Sequence, residues 1–225
     1  MFSVIFEVCP KKERFDEYLR HAKKLKPLLE KIDGFIDNER FESKRRPGWL
    51  LSHSTWRDEK AVVRWRTVGE HHQTQELGRQ EIFMDYHLRV GEITFDTDPP
   101  PETPVREQRF DATETGAAKV ITLTEVLPAA GCTIPTEGSA LLDMLGIKPT
   151  QPGLVEHDVF TSIYTAGKVA LLACWADANS ASGWSPTKDS AIASLRHRRV
   201  RVVRDYGMFH REEAPQYFPV PSRGQ

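Results

Sequence analysis

A tryptophan pair with eight residues between its members occurs twice in this chain, as Trp56 and Trp65 and again as Trp175 and Trp184. Two further markers keep step. Asp85-Tyr86 begins 29 residues after Trp56, Asp205-Tyr206 begins 30 residues after Trp175, and each introduces a strand-like run. Spacing held to within one residue over such distances marks internal repetition, and the chain reads as two copies of one module. At 225 residues it has room for two units of about 100 residues each.

The first copy shows what the module is. Phe2, Val4, Phe6 and Val8 alternate as one face of a strand. From Glu13 to Lys31, Phe15, Tyr18, Leu19, Ala22, Leu25, Leu28 and Leu29 recur at helical spacing, with Pro27 expected to kink the helix and Gly34 to end it. Ile36 to Ser43 and Trp49 to Trp56 flank the turn signal Pro47-Gly48 and predict a hairpin. Asp58 caps a helix holding Ala61, Val62 and Trp65, and a second helical stretch, Glu70 to Phe83, leads into a strand through Tyr86, Leu88, Val90 and Ile93. The order β-α-β-β-α-β is the ferredoxin-like pattern, whose sheet carries both helices on one face and leaves the other bare.

A second copy supplies the cover. Its predicted strands are Val120 to Val126, Val155 to Ile163, Val169 to Trp175 and Val200 to Met208, with helices at Ser139 to Leu145, shortened, and at Asp189 to Arg198. The expected fold class is therefore α+β: two tandem ferredoxin-like modules forming a dimeric α+β barrel-like pseudo-dimer within one chain. The boundaries read as a module over 1–95, a Pro-rich linker over 96–118, a divergent second module over 119–210 and a C-terminal arm over 211–225, its aromatics packed onto the barrel. Barrel closure inside the chain leaves homodimer formation open.

Lys and Arg number 31 against 32 Asp and Glu, a formal net charge of −1, which gives a nucleic-acid backbone or an anionic membrane no global attraction. Cys9, Cys132 and Cys174 are scattered, outside the paired spacings of zinc sites or disulfide frameworks, and fit a reducing cytoplasm. The opening residues alternate like a strand rather than a signal peptide, and no stretch approaches the roughly 18 apolar residues of a membrane span. No Gly-rich phosphate loop, serine elbow or His-Glu-x-x-His motif is present.

The segment Ser54-Thr-Trp-Arg-Asp-Glu-Lys-Ala-Val-Val-Arg-Trp-Arg, followed by Glu70-His-His, Gly78-Arg and Phe83-Met-Asp-Tyr, resembles the antibiotic biosynthesis monooxygenase family over residues 2 to 94. Ala173-Cys-Trp-Ala-Asp and Arg204-Asp-Tyr-Gly-Met are similar more loosely, and the Glu-His-His segment has no counterpart, as in a degenerate structural copy. The resemblance implies a pocket between helices and sheet, used for cofactor-independent oxygenation of a small aromatic or polyketide-like molecule or for haem binding and degradation. The haem-degrading branch carries an Asn on its first strand and a His some ten residues after a Trp; here Ser3 to Glu7 holds no Asn and the residue ten after Trp65 is Gln75. No cofactor is thus expected, with haem, on His71 or His72, the alternative, and a non-catalytic ligand-binding barrel the third reading.

Within that frame a few residues can carry chemistry, each with a plainer reading beside it. Of the adjacent His71 and His72, only one can point squarely into a pocket; both can equally solvate a helix start. His53, between Ser52 and Ser54, is a proton acceptor if it opens into the cavity and a hydrogen-bonded core histidine if it does not. Asn38 and Arg40 alternate on one strand and can stabilise a developing anion, or be solvated at an edge. Trp65 and Trp56 can wall a pocket for a flat substrate, or pack the core. The cluster His197-Arg198-Arg199 with Arg201 and Arg204 is expected to pair with acids across the module interface rather than to bind a carboxylate.

Overall fold

The structure, a computed structural model, describes residues 1–137 and 139–216. The first half contains β1 (Phe2–Pro10), α1 (Phe15–Leu29), β2 (Phe35–Ser43), β3 (Leu50–Trp56), α2 (Glu59–Arg66), α3 (Gly69–Leu77) and β4 (Phe83–Asp96). The second contains β5 (Val120–Pro128), α4 (Ala140–Leu145), β6 (Leu154–Ser162), β7 (Val169–Trp175), α5 (Ala178–Ser182) and β8 (Ile192–Gly207). The strands close in the order β1-β3-β2-β6-β7-β5-β8-β4. Each half is a ferredoxin-like sheet, β4-β1-β3-β2 or β8-β5-β7-β6, and the halves join antiparallel at β2 with β6 and at β4 with β8. Closure leaves neither sheet with an unpaired edge.

Strand alternation sorts the side chains into two layers. On β1, Ile5 faces the barrel interior with Phe41, Leu51, Ile121, Leu123, Phe160 and Val200, while Phe2, Val8 and partly buried Phe6 face the helices. Two buried ion pairs flank the interior core, Glu7 with Arg89 and Glu125 with Arg198, each joining the first and last strands of its own module. Arg46 then reaches Glu7 and Asp158, and Lys168 reaches Glu125 and Glu39.

The duplication extends to the seam. Ser43 on β2 donates to Asp158 on β6 at 2.8 Å, and its equivalent Ser162 on β6 donates to Glu39 on β2. Each hydroxyl also accepts two backbone N–H groups of the following turn, from Arg45 and Arg46 or from Tyr164 and Thr165. Gly34 and Gly153 hold the same left-handed turn in both copies, at φ of 91° and 79°. Asp58 and Asp177 cap the helices that follow, accepting from Ala61 and Ser180.

Two predicted elements differ. The Asp189 to Arg198 helix is instead, from Ile192 on, the start of β8, which pairs with both β4 and β5 and so satisfies its backbone as strand; within it Arg196 meets Asp96 and Arg198 meets Glu125. The second helical stretch of the first module ends at Leu77 in a π-helical turn, Gly78–Ile82, where a Cβ on Gly78 would lie 2.5 Å from the Phe83 ring. Pro27 stays inside α1, near its end, and the helix stops at Leu29, before Gly34. Between the halves, the backbone of Gln108 and Arg109 caps the buried Glu92 carboxylate, and Arg109 pairs with Glu59 on α2.

Candidate active site

The first module keeps a cavity of about 210 Å³ between its helices and its sheet. The registers give its floor as two rows. Arg40, Ser52, Phe6, Leu88 and Tyr206 run across β2, β3, β1, β4 and β8, and Asn38, Ser54, Val4, Val90 and Arg204 run parallel to them. The floor is polar on β2 and β3, apolar on β1 and β4, and polar again on β8. Helix α1 covers it with Tyr18, Leu25 and Leu29, and α2 and α3 close it with Val62, Trp65 and His71.

In the second module the described residues fill the equivalent space. Val159 stands where the first copy has Arg40, and Leu171 and Ala173 where it has Ser52 and Ser54; α4 has 6 residues against 15 in α1. There Leu141, Leu142, Leu145, Trp175 and Trp184 pack into one apolar core.

His71 is the histidine of the adjacent pair that lines the cavity; His72 is exposed and lies 3.3 Å from Gln216. The His71 ring stacks on Trp65, with centroids 4.0 Å apart and planes 16° apart, and Nδ1 lies 3.0 Å from the Trp65 carbonyl oxygen. A carbonyl only accepts, so Nδ1 carries the proton and Nε2 the lone pair. Burial, with a smaller push from His72, outweighs the carbonyl hydrogen bond and lowers the imidazole pKa to about 4. The ring is therefore a neutral, oriented base at neutral pH.

The remaining predicted site residues divide. Trp65 walls the cavity. Arg40 reaches it from β2, 9% exposed, donating to Tyr164 Oη at 2.6 Å and to Ser52 Oγ at 3.5 Å. Asn38 also lines it, but its Nδ2 donates to Ser52 Oγ at 3.2 Å and to the His53 carbonyl at 2.8 Å. Both amide hydrogens are used there, so Asn38 shapes the wall rather than donating to an anion. His53 faces the barrel interior instead, since it alternates with Ser52 and Ser54; its Nε2 lies 2.7 Å from Ser3 Oγ, and burial with nearby Arg198 holds its pKa well below the ordinary value. Trp56 is fully buried, edge-on to Phe35 and donating to Ser54 Oγ at 2.9 Å, a core residue behind the cavity.

Sequence reasoning missed Tyr18, Tyr164 and Arg79. Tyr18 sat unmarked in the apolar stripe of α1. Tyr164, on the turn between β6 and β7, is 124 residues from the arginine it touches, and no local pattern connects them. Arg79 leaves the π-helical turn and donates to Tyr86 Oη at 2.7 Å. The described part of the C-terminal arm borders the mouth, with Arg211 donating to Tyr86 Oη at 2.6 Å; Tyr217 and Phe218, whose packing the sequence predicted, lie outside the described residues.

The described residues form a duplicated, closed α+β barrel whose first module holds an amphipathic cavity lined by an oriented, neutral histidine. Among known proteins, the antibiotic biosynthesis monooxygenase family model matches residues 1–77. A protein of Pyricularia oryzae named jasmonate monooxygenase ABM is 43% identical over 227 residues, covering 99% of this chain and 100% of that one. Solved structures similar to this chain include a putative monooxygenase of Fusobacterium nucleatum, 10% identical with a TM-score of 0.40 over 91% of this chain and 93% of that one. An anthrone oxidase-like protein is 12% identical, with a TM-score of 0.36 over 96% of both chains. The chain belongs to the antibiotic biosynthesis monooxygenase family, and its function is of the monooxygenase type. Among the described residues no helix is long and apolar enough to cross a membrane.

Proposed function

We propose that this protein oxygenates a small, largely apolar molecule in the cavity of the first module, with His71 as the base. The observation that carries the reading is the orientation of His71, whose Nδ1–H is committed to the Trp65 carbonyl and whose Nε2 lone pair stays unprotonated at neutral pH. The burial that keeps His71 neutral also weakens it as a base, so the methylene that gives up a proton to it is one strongly acidified by flanking carbonyl and aromatic groups. The carbanion then reduces dioxygen: one oxygen atom becomes the product carbonyl, the other leaves as water with the two methylene hydrogens, and no external reductant is consumed. Arg40 supplies positive charge on the floor, and Trp65 confines the substrate. The family relative that acts on jasmonate supports a substrate of that kind.

Haem fits the cavity less well. About 210 Å³ lies below the roughly 300–1,000 Å³ of drug-sized ligand sites, too little for a porphyrin unless the helices part. The test is oxygen uptake with jasmonic acid and with an anthrone, under ¹⁸O₂ with a chelator present, for the wild type and His71→Gln. Label in the product and a rate lower by about 10²-fold or more in the variant are expected. Full rate in the variant, or no uptake with either compound, overturns the reading, and a saturable Soret band with haemin that His71→Ala abolishes would replace it.

A further inference from the structure

Several arginines are buried in this fold, and two of them answer to a carboxylate directly: Arg89 to Glu7 and Arg198 to Glu125. Arg40 differs. It is 9% exposed and its side chain lines the cavity, yet among the described residues it pairs with no carboxylate and meets only the neutral hydroxyls of Tyr164, Ser52 and Tyr18. Its Nε is buried without a hydrogen-bond partner, as are those of Arg89 and Arg198, but here no carboxylate meets the rest of the guanidinium; the buried Tyr18 lies beside it, its ring centroid 5.5 Å from the guanidinium carbon. The neighbouring Glu39 cannot serve, because strand alternation turns it to the other face, where it holds Lys168 and Ser162. A guanidinium does not shed its proton, and a buried charge without a counter-ion is costly.

We infer that the cavity takes an amphipathic carboxylic acid, its ionised head seated on Arg40 between Tyr18 and Tyr164 and its apolar body over Phe6, Leu88, Val4 and Val90. This deepens the monooxygenase reading and rests on the same cavity. Arginine meets a carboxylate through two parallel N–H donors, and Nε with one Nη forms such a fork. Tyr164 Oη accepts from Arg40 Nη1 and keeps its own O–H to donate to the anion.

Tyr164 comes from the second module. Its turn is fixed by Ser162, whose hydroxyl accepts from the Tyr164 and Thr165 backbones at 3.0 and 2.8 Å, and by Ile163, whose N–H donates to the Arg40 carbonyl at 2.8 Å. The copy whose equivalent space is filled thus completes the head-group site of the other, a contribution that single-module reasoning cannot supply.

The test is calorimetric binding of two uncharged-versus-charged pairs, octanoate with octanamide and 1-naphthoate with 1-naphthamide, to the full chain at pH 7. The wild type is expected to prefer at least one acid over its amide by about ten-fold or more. Arg40→Gln abolishes that preference, Arg40→Lys retains part of it, and Tyr164→Phe reduces it several-fold, with melting curves confirming that each variant folds. Tyr164 is 46% exposed, so its variant remains informative if Arg40→Gln does not fold. Equal binding of acid and amide by the wild type, or the full preference surviving in Arg40→Gln or in Tyr164→Phe, overturns the inference. Binding is read without turnover, so acid preference in a protein that takes up no oxygen keeps the head-group site and drops the monooxygenase reading; oxygen uptake without acid preference does the reverse.

Discussion

Lowering the pH from 7 to 5 destabilises this protein through histidines that the fold holds neutral, and His197 isolates the effect. It sits on β8, 2% exposed, with Nδ1 2.8 Å from Thr124 Oγ1 and Nε2 buried without a hydrogen-bond partner. The Trp184 and Phe95 rings lie 5.2 and 6.1 Å away. Burial, reinforced by the charges of Arg199 and Arg198, lowers its pKa to about 4. Between its ordinary value near 6.5 and 4, the unfolded chain binds a proton that the folded one refuses. The contribution is therefore intact above 6.5, falls as the pH drops through that window, and levels off below about 4. At pH 5 linkage makes the loss at this site about 2 kcal/mol. His53, His71 and His157, lowered chiefly by burial, act in the same direction; at His87 burial is outweighed by the bond to Asp205, and it acts in the opposite one. These cancel when the wild type is compared with His197→Gln, which keeps a polar group but cannot titrate. Urea unfolding of both proteins at pH 7 and pH 5 reads the difference: the wild type loses about 2 kcal/mol more than the variant. Equal losses would refute the argument that burial keeps His197 neutral.

Two further outcomes follow from close packing and from burial. Gly91→Ala places a Cβ 2.4 Å from the Arg201 carbonyl oxygen and 2.5 Å from Val200 Cγ1, at the β4 and β8 seam, and lowers stability by about 2–3 kcal/mol by thermal or urea unfolding; a change within 0.5 kcal/mol would contradict that crowding. Native thiol labelling at pH 8, followed by mass spectrometry, modifies the exposed Cys132 first, whereas Cys174, fully buried and pushed up to about 12 by burial, reacts only on unfolding. Equal labelling rates at the two would show that the β7 core opens.

Much of the architecture was legible because period and repetition are local or pairwise properties of the sequence. The doubled tryptophan pair, the alternation of Phe2 to Val8 and the stripe of α1 fixed two ferredoxin-like copies, and the need to cover one bare sheet face implied their pairing. The Asp189 to Arg198 stretch, expected as a helix, is the start of a strand, because nothing near it in sequence announces that β4 and β5 flank it and that Asp96 and Glu125 meet Arg196 and Arg198. Site residues followed the same division. Trp65 and the His71 and His72 pair stood out by motif, and helical geometry required that only one imidazole face inward.

The sequence by itself determined the duplication, the strand and helix inventory of the first copy and the residue types available to a site. Tertiary structure decided which residues form it. Strand alternation sent His53 into the barrel and Ser52 with Arg40 into the cavity, and apolar side chains in the second copy fill the equivalent space. Closure of β2 on β6 brought Tyr164 to Arg40 across 124 residues of chain. These outcomes depend on which face of a sheet another element covers, a relation between distant segments that no local period encodes.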